Sequence, residues 1–583
     1  MHTGCANFLL SFDCIKVVVG IDPPYNTGND FIYRDDFRQS AADYEENSGV
    51  YDEDGNRMFK NTDTNGRFHS DWCSMIYSRL MLARNLLAED GVIFISIDEN
   101  EVSTLKAICD EAFGASNFIA ELIWSAGRKN DSKYISVSHE YILCYFKDAL
   151  WIKEHKILWR EKKQGLTDIY AEYERLKKLY GNEYASIEKG LKSWYKSLPD
   201  GHPAKDHSHY CRVDKNGIFF ADNISWPGGG GPKYQILHPV TQKPVKIPSR
   251  GWLTNEDTMK EWIAQGRVEF GKDENGVPTL KSYLKDREYS VPYSVFYKDG
   301  RASSKRLAVL MGDKVFENPK DEEIIQRIIQ FCGTNDGDII MDFFSGSATT
   351  AHAMFLADAE QNKHRKFILV QLPEAIDPQK ESSEKAKKVA QNATNLLDSI
   401  GAPHNICEIG KERIRRAGKK ILKECEELRV ESKETANNST LHSPNSTLDV
   451  GFRVLKLDDT NMKDVYYAPA AYEQSLLDTL ESNIKEDRSD LDLLFGCLLE
   501  WGLPLSLPYK SEEVEGFSVH NYNDGDLIAC FDADVTDSVI KKIAKMQPLR
   551  AVFRDSSFAS SPAKINMEEI FKLLAPDTSV KVL

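Results

Sequence analysis

The chain has 583 residues, a formal net charge of −16 and a composition that is 41% hydrophobic and 28% charged. That length exceeds what one hydrophobic core serves and predicts several domains, while the absence of any run of about 18 apolar residues excludes a membrane-spanning helix. Eleven cysteines without a C-x-x-C pair exclude a zinc-ribbon or disulfide framework and predict reduced thiols in the cytoplasm, and the apolar residues 8–10, lacking a basic flank and a cleavage-like site, give no export signal.

The charge is unevenly placed. Residues 211–310 hold 16 Lys and Arg against 11 Asp and Glu, whereas residues 451–583 hold 14 against 23. A basic middle carrying Trp226, Tyr234, Trp252 and Tyr283 permits a DNA-facing segment despite the acidic total.

Residues 14–21 are rich in β-branched side chains and stop at Asp22-Pro23-Pro24, which cannot continue a central strand, so they predict a buried parallel strand with a loop at its carboxyl end. Residues 72–87 place Met75, Ile76, Leu80, Leu82 and Leu86 at helical spacing, and Glu89-Asp90-Gly91 then turns into a strand over 92–97. Strand, helix and strand in that order predict a βαβ sheet. Residues 140–146 predict a further strand. From about 151 to 312 the chain becomes charged and aromatic, with Gly228-Gly229-Gly230-Gly231-Pro232 and short alternating pieces that do not extend a parallel sheet, and it reads as an insertion. The parallel pattern returns with a helix near 322–331, a strand over 339–343, a Gly/Ser loop, a helix over 349–356 and a strand over 366–370. A charged helical region including 411–428 follows, then a linker at 431–447 dense in Ser, Thr and Asn, and from 448 a small α+β domain. The expected divisions are 1–150, 151–312, 313–430, 431–447 and 448–583, with one mostly parallel α/β sheet built from two halves of the sequence.

Asp22-Pro23-Pro24-Tyr25 follows a buried strand, where open α/β sheets place their ligand sites. The pattern suits an exocyclic amine whose lone pair is delocalised into a ring. Asp22 can accept one N–H hydrogen bond and the Pro23 carbonyl the other, held by a backbone that Pro23 and Pro24 restrict, and Tyr25 can stack on a base swung out of a duplex. A proline-stiffened turn is the bland alternative. Asp342-Phe343-Phe344-Ser345-Gly346-Ser347-Ala348-Thr349 again reads strand, small-residue loop, helix start, letting the backbone approach a ligand whose carboxylate suits the helix N-terminus. It is not a G-x-G-x-x-G fingerprint. Glu374, just past the next strand, is the acid expected to hold ribose hydroxyls.

Together the two motifs resemble the β-group amino-methyltransferases of DNA, in which the catalytic motif precedes the cofactor motif and a target-recognition domain lies between them. Further stretches are similar to the modification (Mod) subunits of type III restriction-modification systems: residues 72–101, 231–250 with His238-Pro239, 315–320, 367–374 and 412–417, and in the tail 490–499 and 553–556. That resemblance implies a class I methyltransferase-like (Rossmann-like) fold, permuted in sequence, with the insertion as target-recognition domain. It implies S-adenosylmethionine as cofactor on Asp342 to Ser347, Thr349 and Glu374, with Lys320 helping to cradle it, and no metal. It also implies methylation of adenine N6, double-stranded DNA as substrate, self-association, and a separate restriction (Res) subunit. Lys243, Lys246, Arg250 and Lys305 are the expected phosphate contacts, and Trp226 and Trp252 the expected wedging or stacking rings. Cytosine N4 is the rival target, though a Ser commonly stands at the position of Asp22 there. A DNA-recognition and assembly subunit with idle chemistry is a rival of another class, resting on the 21 residues ahead of Asp22, fewer than the family usually carries. Ala348 stands where a further small residue, often Gly, is common.

Overall fold

The computed structural model describes residues 15–21, 23–26, 31–33, 58–60, 68–125, 133–298, 300–381, 383–435, 448–463 and 484–583. The chain divides into two compact units, one of Met1–Glu154, Tyr297–Ile325 and Asn335–Leu583, the other of His155–Phe296 and Gln326–Thr334.

The first unit is organised by β1 (Ile15–Ile21), α1 (Phe68–Leu86), β2 (Leu87–Ile97), α2 (Val102–Cys109), β3 (Phe118–Ser125), β4 (His139–Phe146), α3 beginning at Glu322, β5 (Ile339–Asp342), α4 (Thr349–Gln361), β6 (Lys366–Leu369) and α5 (Ile406–Thr435). Six of the seven strands of its sheet lie in the order β3-β4-β2-β1-β5-β6. The pairs β2–β1, β1–β5 and β5–β6 are parallel, whereas β4 is antiparallel to both β2 and β3. A mostly parallel sheet was expected; it also holds one reversed strand, β4, and the unforeseen β3. β3 escapes a pattern search because Phe118, Ile119, Ala120, Leu122 and Ile123 form a nearly unbroken apolar run that periodicity cannot assign.

The two halves of the sequence meet where Val17 and Val18 pair with Ile340 and Met341. α1 runs into β2 without a separate turn. Ile15 pairs with Leu87 and Val17 with Val92, so residues 88–91 are taken up as an irregularity in register. A β-carbon on Gly91 would lie 2.8 Å from the Ala88 carbonyl oxygen, which leaves room for glycine only. The core under the sheet joins Trp72, Met75, Ile76 and Leu80 of α1 to Ile93, Ile95, Ile97, Leu143, Tyr145 and Met341. Each such side chain, removed from water, contributes about 1.5–3 kcal/mol, so the sheet's position is strongly determined.

Further along the same unit, α5 continues to Thr435, into the stretch expected to be linker, and residues 436–447 lie outside the described residues. Beyond it come the helix Asp490–Glu500, opened by a Ser489/Asp492 capping box, and a mixed five-stranded sheet covered by Asp537–Lys545 and Ser561–Leu574.

The second unit packs the helices Leu166–Tyr180 and Tyr184–Ser197 beside a four-stranded antiparallel sheet in the order Val268–Glu269, Thr279–Tyr283, Gly217–Asn223, Arg212–Asp214. Among the described residues no helix is long and apolar enough to cross a membrane.

Candidate active site

β1 delivers the D-P-P-Y loop to the carboxyl edge of the sheet. Asp22 itself lies outside the described residues; Pro23, Pro24, Tyr25 and Asn26 are within them. The loop is held from three sides. The indole Nε1 of Trp72, 0% exposed on α1, donates to the Pro24 carbonyl at 2.6 Å. Asn26 takes a left-handed conformation, φ +59°, and its Nδ2 donates to Glu101 Oε1 at 2.6 Å. His69 Nδ1 lies 2.5 Å from that same oxygen. Glu101 stands at the N-cap position of α2 without a side-chain cap bond, is fully buried, and its second oxygen meets no hydrogen-bond partner among the described residues.

On the third side the Tyr25 hydroxyl donates to Glu140 Oε2 at 3.1 Å, at the start of β4. Lys320 donates to both the Tyr25 hydroxyl and the Glu140 carboxylate. Its ammonium also sits 4.6 Å from the centre of the Tyr25 ring and 5.6 Å from that of Trp124. Lys320, expected to stand with the cofactor group, is thus brought to Tyr25. The pair fixes the tilt of the ring through charge, hydrogen bond and cation–π contact together.

The second loop follows β5. Asp342 is buried and folds back on its own turn: Oδ1 accepts from the Phe344 N–H at 3.1 Å and Oδ2 from the Thr350 hydroxyl at 2.6 Å. Phe343 and Phe344 pack on the sheet core. The Ala348 N–H closes the turn on the Ser345 carbonyl at 2.7 Å, with Gly346 at φ +46° and Ala348 at φ +59°. The Gly346 N–H donates to Gln371 Oε1 at 2.7 Å, which lashes the loop to the segment after β6. The hydroxyls of Ser347 and Thr349 turn inward to Arg413 of α5, at 2.8 and 2.7 Å. Three residues past Gln371, the half-buried carboxylate of Glu374 meets no donor among the described residues, and burial raises its pKa.

In the second unit, the candidates for DNA reading separate by exposure. Trp252 is 0% exposed; its Nε1 donates to the Tyr234 carbonyl at 2.8 Å, its ring stacks on Tyr234, and it sits in a core with Ile224, Ile236 and Met259. That burial corrects the expectation of a wedging ring at Trp252, since no base can reach it. Trp226 is 41% exposed. Lys246 and Arg250 are exposed, while Lys243 is paired with Glu274 at 3.1 Å. Lys305, in the first unit, is also exposed. A β-carbon on Gly251 would fall 2.2 Å from the Gly231 carbonyl oxygen, so the glycine-rich turn closes here by direct backbone approach.

Sequence reasoning missed Trp72, Glu101, Glu140, Gln371 and Arg413. Trp72 and Arg413 stood within predicted helices and Glu140 opened a predicted strand, but no spacing rule links residues this far apart.

Comparison with known proteins follows the same lines. The DNA methylase family model matches residues 17–376, more than half of the chain. The EcoP15I Mod subunit of the type III restriction-modification enzyme from Escherichia coli is 31% identical over 577 residues, covering 97% of this chain and 81% of that protein. The EcoPI Mod subunit from Escherichia phage P1 is 27% identical, covering 97% and 81%, and the StyLTI Mod subunit from Salmonella typhimurium is 32% identical, covering 80% and 58%. The chain belongs to the DNA methylase family and, within it, to the type III Mod subunits.

Proposed function

We propose that the chain is a cytoplasmic, site-specific DNA methyltransferase that moves a methyl group from S-adenosylmethionine to N6 of an adenine swung out of the duplex, as the modification subunit of a type III system. The observation that carries this reading is the D-P-P-Y loop whose Tyr25 is gripped by Lys320 and Glu140, in a chain similar along 97% of its length to a Mod subunit.

The residues of the second loop fit an adenosyl amino acid. Gly346, at φ +46° and only partly buried, presents no β-carbon beside a helix start, and Glu374 offers a carboxylate that meets no donor among the described residues, the acceptor two ribose hydroxyls need. When bound, S-adenosylmethionine supplies an electrophilic methyl on its sulfonium sulfur. Asp342, Phe343, Phe344, Ser345, Gly346, Ser347, Thr349 and Glu374 hold it, Ser347 and Thr349 through the shape of the loop. Tyr25, its ring fixed by Lys320 and Glu140, stacks on the flipped base. Asp22 and the Pro23 carbonyl accept hydrogen bonds from the two N6 protons, which pyramidalises the nitrogen and frees its lone pair. The proton shed as the C–N bond forms passes to the Asp22 carboxylate and then to water.

Residues 1–150 and 313–430 make up the methyl-transfer fold in permuted order, residues 151–312 read the target, and the acidic residues 448–583 serve assembly. A homodimer and a Res subunit are the proposed protein partners, and Lys246, Arg250 and Trp226 the foremost DNA contacts. The test is transfer of labelled methyl to genomic DNA lacking adenine methylation, with nucleoside analysis. N6-methyladenine from the wild-type chain, lost in Asp22→Ala while cofactor still binds, is the expected result; N4-methylcytosine or no transfer overturns it.

A further inference from the structure

α5 lies beyond residue 376, where the match to the DNA methylase model ends, yet it touches the second loop at two places one turn apart. At Gly410 a β-carbon would stand 3.4 Å from both Ala348 Cβ and the Gly346 carbonyl oxygen, so helix backbone and loop are in direct contact. At Arg413, 1% exposed, Nη1 donates to Ser347 Oγ at 2.8 Å and Thr349 Oγ1 at 2.7 Å, and lies 3.4 Å from the Ser347 carbonyl oxygen. The other end of the guanidinium faces Glu322 Oε2 at 3.7 Å. Glu322 begins α3 two residues after Lys320, and Arg306 binds both it, at 2.5 Å, and Asp321, at 2.9 Å. A guanidinium this deeply buried is costly to desolvate and persists only where its contacts compensate.

We infer that Arg413 is a positioning residue for the cofactor loop. Its Nη1 fixes both hydroxyls of the turn that carries Gly346, while Nη2 of the same planar group turns to Glu322, in the segment that brings Lys320 to Tyr25. A point charge on a flexible stem cannot hold the loop hydroxyls and face Glu322 on its other side at once, so lysine is no substitute. The inference rests on reading this loop as the cofactor site, and it assigns a role in cofactor binding to a helix outside the matched catalytic span.

The experiment uses the full chain and S-adenosylhomocysteine, titrated calorimetrically into the wild type, Arg413→Lys, Arg413→Met and the control Arg415→Met, whose residue is exposed on the same helix. Failure of the wild type to bind defeats the functional reading itself, separately from this one. With binding established, Arg413→Met is expected to lose at least tenfold in affinity and Arg413→Lys most of that. Duplex DNA affinity should stay within twofold, and KM for S-adenosylmethionine should rise more than kcat falls. Affinity within twofold of wild type in Arg413→Met, or an equal loss in Arg415→Met, overturns the proposal. Should Arg413→Met fail to fold, Ser347→Ala/Thr349→Val removes the acceptors while Glu322 still faces the guanidinium. Wild-type affinity in that double variant also overturns the proposal, and a tenfold loss supports it.

Discussion

Trp72→Phe isolates the anchoring of the catalytic loop. The indole N–H reaches the Pro24 carbonyl at 2.6 Å from a side chain that is 0% exposed, so phenylalanine keeps most of the packing and loses the donor. Leaving that carbonyl unsatisfied costs about 1–3 kcal/mol, and the smaller ring leaves a void costing about 1 kcal/mol more. The Asn26–Glu101 bond and the Tyr25, Glu140 and Lys320 cluster remain to hold the loop in place, so the variant folds. What it loses is registration of the backbone beside Pro23. An offset on the order of 1 Å there is worth roughly 100-fold in rate. Single-turnover methyl transfer at saturating DNA and cofactor should fall by about 10- to 100-fold, with affinity for S-adenosylhomocysteine changed little. A variant folded by circular dichroism that transfers methyl within twofold of wild type refutes the reasoning.

Other perturbations bear on other parts of the molecule. Glu374 has its pKa raised by burial; hydroxyl donors favour its charged form, so affinity for S-adenosylhomocysteine should fall, by at most about tenfold per unit, as pH drops through that raised value. Calorimetry across pH 5–8 should find the slope flattened in Glu374→Gln. The folded state's own linkage has the same origin and a different sign: stability associated with Glu374 is fully present below the unfolded pKa and is lost as pH rises through the folded one. Ala348→Gly relieves a left-handed β-carbon, φ +59°, but gives up a buried methyl and adds unfolded-state entropy. These terms are each about 1 kcal/mol and nearly cancel. The thermal midpoint should barely move, whereas Ala348→Val, β-branched and pressed against Gly410, should lower it clearly. Lys246→Ala with Arg250→Ala should weaken binding to any duplex and reduce the slope of log affinity against log salt by about 2; an unchanged slope places the phosphates elsewhere.

The regular elements around the site were legible where chemistry is local. The β-branched run into Asp22-Pro23 marks the end of β1, and Asp342 to Thr349 spells strand, turn and helix start, because propensity and turn sterics act over a few residues. The reversed strand β4 was not legible: Glu140 to Phe146 looks the same run in either direction. Nor was Trp252 distinguishable from Trp226, since both stand near glycines in the same insertion and only the folded turn decides which ring is enclosed. Lys320 was singled out through its neighbours in sequence, yet its meeting with Tyr25 depends on the sheet bringing distant segments to one edge. Arg413 looked like one more charge on a solvated helix because the neighbouring Arg415 is just that.

The pairing of Val17 with Ile340 has a consequence for when the molecule can work. A ribosome that has finished β1 and β2 has made the D-P-P-Y loop but not the strand that must lie beside it, so β1 waits with an open, strongly apolar edge through synthesis of the entire second unit. Contacts of such long sequence separation form late and slowly. A nascent or truncated chain ending before residue 342 therefore carries the proposed catalytic loop without the loop proposed to hold the methyl donor. In the proposed function, the layout ties competence to modify DNA to possession of the insertion proposed to choose where.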